Sequence, residues 1–332
     1  MTKPVSNSYR DNYDAIFAKK NPLEELQQAV AKPTDISVRD RFVGSLVGLA
    51  VGDAIGTTVE FQQRGDFPEV TDMVGGGPFN LIAGQWTDDT SLALCLAQSL
   101  LDVGFDPQDQ LQKYVKWAKD GYLSSNGRCF DIGNTTRYAL YNYEKTKEDY
   151  PGQTHDDASG NGSLMRLAPA VMFGYPDQHK IEEYAANSSR TTHGSPKAIE
   201  CCLLMADILA SCYDGLPKNE LLAAVSCHLE NLEVIGIAAG TFLDKAIDEI
   251  EGSGYCVESL EAALWCFFKT ESFDECVLKA VNLGRDADTT AAIAGQFAGA
   301  YYGYEGIRKE WREKITMASY IVGLAEKLSE NK

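Results

Sequence analysis

The stretch that decides the fold is GQWTDDT at residues 84–90, which leads into the apolar run SLALCL at residues 91–96. Thr87 is a good N-cap residue, and Asp88 and Asp89 fall in the first helical turn, where carboxylates offset the helix dipole. Taken alone, this pattern is more typical of a capped helix than of a site. A second acidic start, DADTT at residues 286–290, opens another helix of small and apolar residues about 200 residues later. Two such starts indicate two helix N-termini that face one shared point.

The composition describes a globular, acidic protein. The chain has 332 residues, 44% of them hydrophobic, which is enough for one large domain or two small ones. Its 48 acidic and 30 basic residues give a net charge of −18. Proteins that bind nucleic acid or anionic membranes carry a basic footprint, so we expect neither partner here. Small anionic ligands stay open, because backbone N–H groups and metal ions can hold them locally.

The nine cysteines show no Cys-x-x-Cys spacing, and several fall in apolar helical patterns. They indicate a reducing compartment, with neither a disulfide framework nor a zinc site. The N-terminus lacks the apolar core of a signal peptide, and we expect no apolar run of membrane-spanning length. These features predict a cytoplasmic protein.

Residues 1–37 differ from the rest of the chain, because three prolines separate two short amphipathic stretches there. We expect an arm that either folds back on its own domain or binds another protein through Tyr13, Ile16 and Phe17. The remainder shows helical periodicity without strand alternation, which predicts an all-α fold with one compact domain over residues 38–325. Helices are expected at 88–103, 197–212, 219–231, 235–250, 258–269 and 273–283.

The first predicted helix, from Ser37 towards Glu60, has glycine at positions 44, 48, 52 and 56. Four glycines cost a helix several kcal/mol relative to alanine. Close approach of another helix, or of a ligand, has to offset that cost. Asp53 and Glu60 lie at the end of this stripe, with Glu60 either on the helix or in the loop beyond it. The run GGGP at 75–78 predicts a mobile or tightly turned loop.

Five carboxylates would lie near the shared point if the two helix starts converge. Carboxylates a few Å apart repel by several kcal/mol at intermediate dielectric, so either they are separate or cations hold them together. The candidate ligands are oxygen atoms, which suit Mg²⁺, Mn²⁺ or Ca²⁺. A pair of such ions can activate water, which favours hydrolysis with a carboxylate as general base. The oxygen donors are the carboxylates of Glu60, Asp88, Asp89, Asp286 and Asp288 and the hydroxyls of Thr87, Thr90 and Thr289.

Five motifs occur in a fixed order: GDAIG at 52–56, WTDDT at 86–90, GNGSLMR at 160–166, THG at 192–194 and GRDADT at 284–289. With these motifs the chain resembles the ADP-ribosylglycohydrolases over residues 38 to about 320. The resemblance implies an all-α fold, a dinuclear site for two Mg²⁺ or Mn²⁺ ions, and removal of ADP-ribose from a modified target. The arm lies outside the family pattern.

The resemblance also implies roles for individual residues. The implied metal ligands are Thr87, Asp88, Asp89, Asp286, Asp288 and Thr289. The implied catalytic residues are Glu60, Asp89, Asp131 and Asp288. Glu60 would gate the substrate, and Asp131 is characteristic of arginine-directed bacterial members, since a carboxylate can pair with a guanidinium. The implied ADP-ribose-binding residues are Asn134, Gly160, Asn161, Gly162, Ser163, Leu164, Met165 and His193.

The function predicted on this basis is metal-dependent removal of ADP-ribose from protein side chains. Arginine is the favoured linkage, with serine and free ADP-ribose derivatives left open, and the partner is the ADP-ribosylated protein. An alternative function is that of an immunity protein, in which residues 1–37 block an ADP-ribosyltransferase toxin, with or without hydrolase activity.

Overall fold

Helices account for nearly all regular structure in residues 36–330, the part of the chain that the computed structural model describes. This part contains fourteen α-helices joined by loops and short 3₁₀ turns, and its extended residues pair only in three isolated bridges. The all-α prediction is confirmed. The helices are α1 (Val38–Gly56), α2 (Asp88–Val103), α3 (Pro107–Asp120), α4 (Asn134–Thr146), α5 (Ala168–Gly174), α6 (Gln178–Arg190), α7 (Pro196–Tyr213), α8 (Lys218–Leu221), α9 (Leu232–Ala238), α10 (Cys256–Phe268), α11 (Phe273–Val281), α12 (Ala287–Tyr302), α13 (Lys309–Lys314) and α14 (Ala318–Ser329).

The glycine stripe of α1 packs against the backbone of α12. A Cβ atom added to Gly44, Gly48 or Gly52 would lie 2.1 to 2.3 Å from a carbonyl oxygen of α12. The reverse holds for Gly295 and Gly299, whose added Cβ atoms would meet carbonyl oxygens of α1 at 2.1 and 1.9 Å. No side chain fits at such distances, so close helix packing offsets the cost of the glycines.

This packing sets the end of α1 beside the start of α12. A Cβ atom on Gly56 would lie 2.4 Å from the Cα atom of Asp288. Beyond Gly56 the chain makes a 3₁₀ turn, Thr57–Val59, and Glu60 follows it in the loop. The glycines at 75–77 all have positive φ, and an added Cβ on Gly77 would lie 2.0 Å from the Thr57 carbonyl oxygen. The GGGP run is therefore a tight turn packed on the end of this segment.

Helix α1 corrects one expectation from the sequence. The segment Val38–Val59 is long and apolar enough to cross a membrane by length and composition alone, contrary to the expectation that no run reaches that length. Of its most apolar window, 94% is buried inside the protein. A helix that is apolar on all sides is typical of the core of a large protein as well as of a membrane span. Here the apolar side chains pack within the fold.

The other predicted helices divide into two groups. Helices 88–103, 197–212, 258–269 and 273–283 are confirmed to within two residues at each end. Helices 219–231 and 235–250 are wrong over most of their length, because only α8 and α9 are α-helical there. The carboxylate of Asp207, on α7, accepts hydrogen bonds from the backbone N–H groups of Ser226 and Cys227 and so takes donors that a helix would use. Tertiary contacts override the local periodicity in this region.

All nine cysteines lie within the described residues and are free there. Nearly all of the predicted arm, residues 1–35, lies outside the described residues. The division into an arm and a domain over 38–325 therefore stays a prediction.

Candidate active site

The start of α2 is capped from outside the helix. Thr87 occupies the N-cap position, but its side chain makes no capping hydrogen bond. Asp53, on α1, accepts hydrogen bonds from the backbone N–H groups of Thr87 and Thr90 at 2.8 and 3.0 Å, and from their hydroxyls at 3.0 and 2.6 Å. The predicted N-cap position of Thr87 is confirmed, but the capping hydrogen bonds come from Asp53 and not from the Thr87 side chain. Asp53 was not among the predicted site residues, although it lies in the GDAIG motif beside the glycine stripe.

The start of α12 is built in the same way. Asp286 occupies its N-cap position without a side-chain capping bond. Glu60 supplies the cap, because its Oε2 atom accepts hydrogen bonds from the N–H groups of Ala287 and Asp288 at 2.9 and 3.2 Å. Both acidic helix starts thus receive a carboxylate from α1 or from the loop that follows it.

The two helix starts lie side by side. The Thr87 hydroxyl oxygen is 3.2 Å from Oδ2 of Asp89 and 3.3 Å from Oδ2 of Asp288. Carboxylate oxygens of Glu60, Asp286 and Asp288 all lie within 4.8 Å of one another. Segments about 200 residues apart in the sequence therefore form one acidic cluster.

The carboxylates of this cluster are buried or, for Asp286, half-buried, and no basic side chain within residues 36–330 forms an ion pair with them. Burial, followed by the charge of Asp288, raises the pKa of Glu60, Asp88 and Asp89 well above their usual values. The same two causes raise the pKa of Asp53 and Asp286 to about 7. Such an arrangement is stable only with bound protons or cations.

The residues present fit a divalent cation. Oδ1 of Asp89 is buried and has no hydrogen-bond partner in the described part of the chain. A bound cation would supply the missing partner of this oxygen and would offset the repulsion among the neighbouring carboxylates. The donors are oxygen atoms, as Mg²⁺ and Mn²⁺ prefer. The residues that would hold cations are Thr87, Asp88, Asp89, Asp286, Asp288 and Thr289, and their role as ligands stays a prediction.

A cleft of about 850 Å³ opens over the cluster. Most of the predicted site residues line it. Two residues predicted to bind ADP-ribose, Ser163 and Leu164, do not line the cleft, because both are fully buried. Thr87 and Asp89 lie beneath the cleft surface, at 0% and 1% exposure. The predicted residues on the cleft wall are Glu60, Asp88, Asp131, Asn134, Gly160, Asn161, Gly162, Met165, His193, Asp286, Asp288 and Thr289.

Two further segments line the cleft beside the acidic cluster. The first turn of α4, residues 133–136, lines the cleft, and no side chain caps it. Uncapped N–H groups at a helix start can bind an anion. The loop at 160–162 lies against His193, since an added Cβ on Gly162 would lie 2.8 Å from its Cε1 atom. Burial and then Arg166 lower the pKa of His193 to about 3, so the ring is neutral.

Asn161 connects this part of the cleft wall to the acidic cluster. Its side-chain amide donates hydrogen bonds to Oδ2 of Asp286 at 2.6 Å and to the hydroxyl of Ser259 at 2.7 Å. The amide of Asn161 therefore holds a cluster carboxylate, in addition to its place on the cleft wall.

The cleft lining around Asp131 has structural features that the sequence did not reveal. Asp131 has a φ of 59°, a left-handed conformation uncommon outside glycine. Burial, followed by the charges of Asp288 and Asp88, raises the pKa of its carboxyl group to about 11. The ring of the neighbouring Phe130 lies 5.2 Å from that of Phe79, which lies 6.3 Å from that of Phe61. No periodicity marks these three rings as neighbours, because each comes from a different loop.

The chain was compared with protein families and with known proteins. Residues 34–332 match the sequence model of the family described as ADP-ribosylglycohydrolase. The ADP-ribosylarginine hydrolase Tri1 of Pseudomonas putida is 43% identical over 91% of this chain and 81% of its own length. Tri1 of Serratia proteamaculans is 44% identical, over 87% and 79%. The ADP-ribosyl-[dinitrogen reductase] glycohydrolase of Rhodospirillum rubrum is 33% identical, over 86% and 93%.

Similarity extends to a solved structure. A chain described as an ADP-ribosylglycohydrolase-related protein complex superimposes with a TM-score of 0.77 and 41% identity, covering 88% of this chain and 98% of that chain. The resemblance inferred from the five motifs is confirmed, and this chain belongs to the ADP-ribosylglycohydrolase family.

Proposed function

We propose that this protein is a metal-dependent hydrolase that removes ADP-ribose from arginine side chains of modified proteins and so reverses ADP-ribosylation. The observation that carries the proposal is the meeting of two acidic helix starts at the floor of a cleft of about 850 Å³. A cleft of this size is large enough for a nucleotide-sized ligand. The names of the two Tri1 relatives, which align with most of this chain, support arginine as the linkage.

The cleft wall formed by residues 133–136, residues 160–162 and His193 suits the ADP part of the substrate. The uncapped first turn of α4 offers backbone N–H groups to the negatively charged diphosphate. The glycines at 160 and 162 line the cleft, and because they lack side chains, the backbone there can approach the substrate closely. His193 contributes a neutral ring held by a hydrogen-bonding contact of 2.8 Å between its Nδ1 atom and the Thr192 hydroxyl.

The acidic cluster suits the ribose and the bond that is cleaved. When bound there, divalent cations would orient the ribose hydroxyls and lower the pKa of a water molecule. Asp131, in the cleft lining, would pair with the guanidine group and return a proton to its nitrogen as the bond to the anomeric carbon breaks. A water oxygen forms the new bond to that carbon, and a cluster carboxylate accepts the proton that the water loses.

We propose two Mg²⁺ ions as the resident cofactors, with Mn²⁺ as a functional replacement, because all candidate donors are oxygen atoms. The test is incubation of the full chain with ADP-ribosyl-arginine and ADP-ribosyl-serine peptides, with Mg²⁺ or with a chelator. We expect release of ADP-ribose from the arginine peptide alone, and only with metal. Full activity after chelation, or no release from the arginine peptide, would contradict the proposal.

Two further proposals concern the setting of the enzyme. We propose that it works in the cytoplasm, a reducing compartment in which its nine free cysteines stay reduced.

We also propose that the arm contacts an ADP-ribosyltransferase, because the family match begins at residue 34 and leaves the anchors Tyr13, Ile16 and Phe17 outside it. Deletion of residues 1–35 should abolish binding to a co-encoded transferase and spare hydrolysis of the arginine peptide. Unchanged binding would rule the arm out.

A further inference from the structure

One carboxylate from outside the helix organises the start of α2. Asp53 is completely buried, and each of its two carboxylate oxygens accepts two hydrogen bonds. Oδ1 accepts the N–H and hydroxyl of Thr87, and Oδ2 accepts the N–H and hydroxyl of Thr90. A carboxylate has about four acceptor positions, so these four hydrogen bonds use the capacity of Asp53. Asp53 is thus fully engaged with the two threonines and is not itself a donor to a cation.

The Thr87 hydroxyl has three carboxylate oxygens around it and one proton to donate. The shortest of the three contacts is to Oδ1 of Asp53, at 3.0 Å, against 3.2 Å to Asp89 and 3.3 Å to Asp288. The N–H of Thr87 donates to the same Asp53 oxygen at 2.8 Å and fixes the residue in place. With its proton directed at Asp53, the Thr87 oxygen keeps its lone pairs for the side on which Asp89 and Asp288 lie.

We infer that Asp53 is a positioning residue, which accepts the hydrogen bond of the Thr87 hydroxyl and thereby presents the Thr87 oxygen as a ligand to the cation. This inference rests on the proposed function to the extent that it needs a divalent cation among these carboxylates. A purely structural cap would hold α2 in place equally well through Thr87 and through Thr90. The positioning role predicts that the two threonines differ in their effect on cation binding.

The test measures Mn²⁺ affinity of the full-length protein by calorimetry, without substrate. Asp53→Asn replaces one acceptor oxygen with an amide donor, and we expect a loss of about 10-fold to 100-fold, as for other residues that orient metal ligands. Thr87→Val should lose a similar amount, and Thr87→Ser, which keeps the hydroxyl, should stay within about threefold of the wild type. The structure does not support the Thr90 hydroxyl as a cation donor, because it is fully buried, lies outside the cleft lining and donates to Oδ2 of Asp53 at 2.6 Å. Thr90→Val is therefore the matched control, since it removes a hydrogen bond to the other oxygen of the same carboxylate. It should lower the unfolding temperature and leave Mn²⁺ affinity within about threefold.

A double-mutant cycle tests whether Asp53 acts through Thr87. In a Thr87→Val background, Asp53→Asn should weaken Mn²⁺ binding by no more than about threefold, because the oxygen that it positions is already gone. Three results would overturn the inference. The first is wild-type Mn²⁺ affinity in Asp53→Asn, and the second is a loss of affinity in Thr90→Val equal to that in Thr87→Val. The third is a double variant whose loss of affinity equals the product of the two single losses. If circular dichroism finds Asp53→Asn unfolded, the comparison of Thr87→Val with Thr90→Val decides, and equal losses contradict the role.

The outcomes also separate this inference from the proposed function. A wild-type protein that binds Mn²⁺ but does not cleave ADP-ribosyl-arginine would overturn the hydrolase proposal and leave the role of Asp53 intact. An Asp53→Asn variant with wild-type Mn²⁺ affinity would overturn the role of Asp53 and leave the hydrolase proposal intact.

Discussion

The starts of α2 and α12 are both capped by a carboxylate from another part of the chain, but the two capping carboxylates lie on different kinds of element. Each has an acidic first turn, each lacks a cap of its own, and each is capped by a carboxylate from elsewhere. Asp53 caps α2 from within a long helix and accepts four hydrogen bonds. Glu60 caps α12 from a loop, accepts two backbone bonds and lines the cleft. One side of the candidate site is therefore built on a rigid element, and the other is closed by a group that a loop movement could withdraw.

The comparison shows why the caps come from outside. A helix that uses its own N-cap side chain for capping cannot turn the same side chain towards a ligand. Because Asp53 and Glu60 satisfy the free N–H groups, Thr87, Asp286 and Asp288 can face the shared point. The glycine stripe makes this possible, since only the close contact of α1 with α12 brings both caps within reach.

The loop that carries Glu60 is hydrogen-bonded to the segment that precedes α12. The N–H of Phe61 donates to the carbonyl of Arg285 at 2.7 Å, and the N–H of Arg285 donates to the carbonyl of Gln62 at 2.6 Å. Phe61 and Arg285 both have φ near +60°, at 64° and 60°. Strained residues of this kind cost free energy and are often found at functional sites.

The largest expected effect comes from removing one carboxylate on either helix. Asp88→Ala and Asp288→Ala should each lower kcat/KM for ADP-ribosyl-arginine by about 1,000-fold or more, because each removes a charge at the reacting centre. Thermal unfolding of the metal-free variants should occur at or above the wild-type temperature, since a like charge has left a buried cluster. A variant on one helix that keeps full activity would show that the two starts do not form one site.

The next effect concerns the contact that brings the two starts together. Gly48→Ala should lower the free energy of unfolding by about 2–3 kcal/mol, because its Cβ would lie 2.3 Å from the Gly295 carbonyl oxygen. Gly323→Ala, in α14, is the matched control, since nothing lies within 4 Å of its added Cβ. That change should stabilise the protein by about 0.5–1 kcal/mol. Equal effects in urea unfolding would mean that the stripe is not a packing device.

The two caps should differ in strength. Asp53→Asn is expected to cost about 2 kcal/mol of unfolding free energy, because it disturbs four buried hydrogen bonds, and Glu60→Gln about 1 kcal/mol. In the wild-type protein, hydrogen exchange at the amides of Ala287 and Asp288 should be faster than at those of Thr87 and Thr90. Equal protection at all four amides would contradict the distinction between a rigid cap and a loop-borne cap.

The last effect is a pH dependence away from both helix starts. The pKa of His193 is about 3 in the folded protein, because of burial and Arg166, against about 6.5 when unfolded. Between these values the unfolded chain binds a proton that the folded chain does not, so stability falls as the pH drops below 6.5. From pH 7.5 to 5 the wild type should lose about 1–2 kcal/mol more than His193→Gln. Parallel stability curves for the two proteins would show that the ring is not held neutral.

The sequence reveals those parts of the site that depend on local signals. The acidic starts of α2 and α12 were recognisable because capping and dipole preferences act within one turn. The glycine spacing indicated a close contact but not its partner, which depends on α12. Asp53 was missed as a cap because the N–H groups that donate to it lie more than 30 residues away in the sequence. The break in helix 219–231 was missed for the same reason, since Asp207 captures its N–H groups from α7.

The central claim is that the starts of α2 and α12 bind cations jointly. Anomalous diffraction from crystals of the protein soaked with Mn²⁺ tests it most directly. The predicted result is Mn²⁺ between the two helix starts, with carboxylate oxygens of both Asp88 and Asp288 sharing the site at ligand distances of about 2.0–2.6 Å. Mn²⁺ bound to one helix start alone, or at a different part of the molecule, would contradict the claim.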